Sequence, residues 1–152
     1  APNCSNNTNI SMSETGSTTL NPGYFVSPSY PNFPFLILTI EGRSNTVITC
    51  DDVGHTLTAV VLDPIANVTC SSQFNVEDKL APVFVCQTLE LPCGIDVYSV
   101  PQPYTPLVTV TDNCTNPPVV TILSHQEKIY NCPSPYTFEI VRQYKATDAS
   151  GN

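Results

Sequence analysis

Tryptophan is missing from this chain of 152 residues, and positive charge is scarce: five lysines and arginines stand against thirteen aspartates and glutamates, a formal net charge of −8. So few cations exclude a nucleic-acid groove or an anionic-membrane patch as the default partner. Cations, glycans and other proteins remain. Charged residues make up 12% of the chain, against about a quarter in ordinary domains, so its surface has to be polar without being charged. No hydrophobic run approaches the length of a membrane span. Helical periodicity is absent too, and fifteen prolines punctuate the sequence, which excludes a helical fold. Catalytic signatures are also missing: there is no Gly-Xaa-Ser-Xaa-Gly elbow, phosphate loop or paired acidic motif. The scattered acids argue against a glycosidase, and His55 and His125 stand isolated. The expectation is a protein that is not an enzyme, with no cofactor and no metal.

What the chain does have is cysteine and glycosylation sequons. Seven cysteines, with Asn-Xaa-Ser/Thr at Asn3, Asn6, Asn9, Asn67 and Asn113, point to an oxidising, secretory history and an extracellular or cell-surface location with covalent glycans. The opening Ala1-Pro2-Asn3-Cys4, without an initiator Met, reads as a processed or excised segment.

Alternation marks strands at Asn9 to Ser13, Phe35 to Ile40, Leu57 to Leu62, Phe74 to Val76, Leu107 to Thr111, Val119 to Leu123 and Phe138 to Tyr144. Short strands separated by Pro, Gly, Asn and Asp predict an all-β fold of the β-sandwich type. A boundary falls at Glu77-Asp78-Lys79-Leu80-Ala81-Pro82, where a strand ends in charge and a proline fixes the chain direction. The expected organisation is an N-terminal segment 1–13, a first module 14–79 and a second module 80–152.

Thr49-Cys50-Asp51-Asp52-Val53-Gly54, the alternating strand after it, Cys70, the Val76 to Pro82 stretch and Cys86 resemble the tandem immunoglobulin-like or hyalin-repeat-like modules of extracellular adhesins and surface fibres. Val110-Thr111-Asp112-Asn113-Cys114 and Tyr144 to Asn152 resemble a sister module. The resemblance implies two tandem immunoglobulin-like β-sandwiches, and it implies a second module lacking its last strand, because the family's turn is followed by a Cys and a strand. Residues 1–13 of a neighbouring copy would supply both, making that segment the expected donor strand. By the same analogy Cys50 pairs with Cys70, and Cys132 takes Cys4 of a neighbour across an intermolecular bridge; of the three cysteines left over, Cys93 is expected to bond Cys114. Cys86 stays unassigned. The odd count fits an intermolecular bond or an unpaired buried thiol.

Asp51, Asp52, Asp78, Asp112 and Asp148 fall in expected turns. They could hold Ca²⁺ between modules or cap their own backbone. Tyr24, Tyr30, Tyr98, Tyr104, Tyr130, Tyr136 and Tyr144, with Phe25, Phe33 and Phe35, could form a sugar-binding face or fill a core. The expected function is therefore a structural subunit of an extracellular glycosylated filament or adhesive stalk, its copies joined head to tail by strand complementation. The alternative is a monomeric cell-surface module that recognises glycan or protein through its loops.

Overall fold

A computed structural model describes residues 1–88, 90, 108–129 and 138–152. The chain divides into two units, Ala1–Leu80 and Ala81–Asn152. The described residues are all-β, with three single-turn 3₁₀ segments and no α-helix.

In the first unit, β1 (Thr8–Ser11), β6 (Val68–Glu77), β5 (Thr56–Asp63) and β3 (Ile37–Ile40) form a four-stranded sheet in the order β1-β6-β5-β3. β2 (Ser17–Thr19) and β4 (Val47–Thr49) make a separate antiparallel pair. The period of two sets the burial. Along β6, Ser72, Phe74 and Val76 point inward while Ser71, Gln73 and Asn75 face solvent, so the outer face is polar without charge. Phe74, Ile40, Val61 and Val76 from the sheet, Ile48 from β4 and Phe25 from the segment after β2 are each less than 3% exposed. The Phe25 and Phe74 rings meet at 5.3 Å between centroids. Burying such side chains is worth about 1.5–3 kcal/mol each.

A buried carboxylate fixes one end of this unit. Asp63 ends β5 and is 0% exposed. Its Oδ2 accepts from Tyr30 Oη at 2.7 Å and Asn32 Nδ2 at 2.8 Å. Its Oδ1 accepts the Ile65 and Ala66 amides at 2.9 and 3.1 Å, which shapes the β5–β6 turn. The hydrogen bonds from Asn32 and Tyr30, with those backbone amides, hold the Asp63 carboxyl down at about 2 against the opposing effect of burial. Asp52 plays a similar part at the 3₁₀ turn after β4: Arg43 pairs with its carboxylate, and the Thr49 amide donates to it at 2.8 Å. The Arg43 hydrogen bonds hold this carboxyl below the usual range although burial acts the other way.

The N-terminal segment belongs to the first unit, which corrects its expected role as a donor strand. β1 runs parallel to β6, with Thr8 opposite Phe74 and Ser11 opposite Glu77. Ser5 donates its amide to Phe25 O at 2.8 Å, and Met12 donates to Glu77 O at 2.9 Å. Ile10 and Met12 are 4% and 3% exposed. The physical reason is burial together with strand pairing: Cys4, Ile10 and Met12 are all buried, and the segment's strand pairs with β6 of its own unit.

The second unit contains two separate antiparallel ladders among the described residues. β7 (Val83–Cys86) pairs with β8 (Val108–Thr111), and β9 (Val119–Ile129) pairs with β10 (Phe138–Thr147).

Candidate functional site

The β9–β10 ladder is long and poorly covered. Its strands have 11 and 10 residues, and Val119, Ile122, Leu123, Ile129 and Val141 are all exposed, Ile129 at 81%. β7 adds exposed Val83 and Val85. Among the described residues of this unit, Val108 and Pro118 are the buried apolar positions, whereas the first unit buries a full set. A two-stranded ladder is at best marginal in water without a hydrophobic face covered by something else, and unpaired edges invite a further strand.

The register of this ladder shifts between Gln143 and Tyr144: Ser124 faces Gln143, Ile122 faces Tyr144, and Leu123 is left over. A bulge of this kind re-aims the side chain it carries. Leu123 is 64% exposed. Opposite each other further along, Arg142 Nε donates to His125 Nδ1 at 3.0 Å, and His125 Nε2 lies 3.3 Å from Glu127 Oε1.

Two acidic turns meet at the other end of the ladder. Asp112 Oδ1 accepts the Cys114 and Thr115 amides at 3.0 and 2.6 Å. Asp148 accepts from the Asn152 amide at 2.8 Å and its side chain at 2.9 Å. Burial pushes the Asp148 carboxyl up, but these bonds and the Gly151 and Ser150 amides leave it below the usual value. Thr115 Oγ1 accepts the Ala149 amide at 3.0 Å, joining the turns, and the two carboxylates come within 4.8 Å of each other. Gly151 adopts φ +90, which the tight Asp148–Asn152 turn requires. Each of these aspartates caps its own backbone, as do Asp52 and Asp78 in the first unit.

The cysteines depart from the family-like pairing. Cys4 is bonded to Cys70, their Cα atoms 5.7 Å apart. This overturns both the Cys50–Cys70 bond and the intermolecular bond from Cys4 to Cys132. The reason is register: Cys4 and Cys70 are 66 residues apart, the same offset as Thr8 and Phe74 in the parallel ladder. Cys50 and Cys114 are each in a disulfide too. Cys93 and Cys132 lie outside the described residues. Cys86, at the end of β7, is free and exposed.

Of the sequon asparagines, Asn3, Asn6, Asn9 and Asn67 are exposed and Asn113 is half-buried. Sequence reasoning missed Asp63 as an anchor and Leu123 as a bulge. The adjacent apolar pair Ile122-Leu123, which breaks the alternation, was the available signal for the bulge. Nothing in the sequence separated Asp63 from the other turn aspartates. No helix among the described residues is long and apolar enough to cross a membrane. No protein-family model, curated protein or solved structure matches this chain.

Proposed function

We propose that this chain is a structural subunit of an extracellular, glycosylated fibre or adhesive stalk, built of two immunoglobulin-like modules and joined head to tail through the open strands of the second. The observation that carries this reading is the contrast between the units: one buries Phe25, Ile48, Phe74 and their neighbours, while the other leaves Val119, Leu123, Ile129 and Val141 in water. A second copy covers this ladder. Its contacting surface is not residues 1–13, which are built into their own unit. It is the β3 edge of the first unit, where Phe35 and Ile37 are exposed and β3 pairs only with β5 among the described residues. Contacts between unlike surfaces do not close and so propagate as a filament. The disulfides fit an oxidising, extracellular-type environment, and the uncharged polar face fits a surface that carries sugar.

Electron microscopy of material isolated under mild, non-reducing conditions tests the proposal. Filaments are expected. A uniform population of monomers would instead favour a cell-surface binding module that recognises glycan or protein.

A further inference from the structure

The five acceptor asparagines are not equivalent in the fold. Asn9 lies on the edge strand β1, and its Oδ1 accepts Asn75 Nδ2 at 3.2 Å, while Asn75 Oδ1 accepts Thr56 Oγ1 at 2.6 Å. This row across β1, β6 and β5 engages the oxygen of the Asn9 amide, on a residue that is itself exposed. Ser11, the hydroxyl of that sequon, is exposed. Asn67 sits after the Asp63 turn at φ +52 and is exposed, as is its sequon partner Thr69.

Asn113 is the reverse case. Its Oδ1 is shut off from solvent, and its Nδ2 is turned onto Cys114 Sγ at 3.5 Å, a sulfur already in a disulfide. The rest of that sequon is engaged as well, since Asp112 holds the Cys114 and Thr115 amides and Thr115 Oγ1 takes the Ala149 amide. A sugar on Asn113 Nδ2 would have to displace this turn.

We infer that Asn9 and Asn67 carry N-linked glycans and that Asn113 stays bare, so that sugar fences the β1 edge and leaves the β3 edge of the same sheet open. The inference rests on the extracellular reading above. The co-reactant is a lipid-linked glycosyl diphosphate. Asn Nδ2 attacks the anomeric carbon, a C–N bond forms as the C–O bond to the diphosphate breaks, the diphosphate leaves with the electron pair, and the Nδ2 proton passes to base. Asn3 and Asn6 are exposed ahead of β1, but no hydrogen bond fixes their amides, so the assignment stands on the other three. A glycan on Asn9 blocks strand addition along β1 in the way charged or bulky groups protect natural edges, and directs assembly to β3.

The test is glycopeptide mass spectrometry of the secreted full chain after enzymatic release of N-glycans in ¹⁸O water, repeated on Ser11→Ala and Thr69→Ala. Both replaced hydroxyls are exposed, so the fold is expected to survive. The expected result is ¹⁸O label at Asn9 and Asn67, an unlabelled Asn113, and loss of one glycan mass in each variant. Label at Asn113, or bare Asn9 and Asn67 with other sequons occupied, overturns this inference alone. A chain bare at all five overturns the extracellular reading with it.

Discussion

Cys4 and Cys70 are bonded in line with the parallel ladder of β1 and β6, at the same 66-residue offset as the paired residues. The covalent link and the strand pairing therefore restrain the same piece of chain. That piece is the N-terminal segment, whose buried Ile10 and Met12 complete the first core.

Removing this bond tests how far the unit depends on it. The Cys4→Ser, Cys70→Ser pair is expected to lower stability by about 2–5 kcal/mol, the usual cost of a native disulfide in a small domain. Thermal unfolding followed by circular dichroism measures it. Peptide mapping without reductant should recover the Cys4–Cys70 fragment, and a Cys50–Cys70 fragment would contradict the structure.

Phe74 packs on Phe25 in the same core, and Phe74→Ala should cost about 3–5 kcal/mol. Leu123→Ala, at an exposed bulge, should change the stability of the dispersed chain by less than about 0.5 kcal/mol. Denaturant midpoints of the two variants compare them directly. Equal effects would mean that Leu123 is covered within the single chain.

Acid should destabilise the first unit through Asp63. Its folded pKa is about 2, below the ordinary value of about 3.9, so its contribution is present in full above the unfolded pKa. It is lost as pH falls from about 4 through about 2, because the unfolded chain takes up the proton first. Asp52 shifts in the same direction. Urea titrations at several pH values should show a shallower acid decline for Asp63→Asn and for Tyr30→Phe than for the unaltered chain. An unchanged decline in both would remove Asp63 as the cause.

Leu123→Asp, at the bulge, and Ile129→Asp each place a charge at an exposed position of β9. Self-association should weaken roughly tenfold or more, equivalent to about 1.4 kcal/mol, if those side chains sit centrally in a contact. Sedimentation velocity over a concentration series reads this, with circular dichroism as the check that the strands persist. Association at unaltered strength would place the contact elsewhere.

Much of the strand content is legible in the sequence where alternation is strong. The apolar rhythm of Leu57 to Leu62 and of Phe138 to Tyr144 falls on β5 and β10. β2 is not legible in this way, because Ser17-Thr18-Thr19 has no apolar period and its pairing with β4 is set by tertiary contacts. The disulfide is hidden for a related reason: family-like spacing favours cysteines close in sequence, and a parallel pair such as β1 and β6 has no connecting turn to announce it. The candidate surface is half legible. Apolar residues at 119–123 are visible in the sequence, but their exposure depends on what covers them, and that is a property of the whole fold.

The central claim is that a second copy covers the β9–β10 ladder, and amide hydrogen exchange on assembled and dispersed material tests it most directly. Protection is expected to rise on assembly across Val119–Ile129 and Phe138–Thr147, with β1 and β6 unchanged. Equal exchange at those two strands in both states, or new protection at β1, would contradict the account.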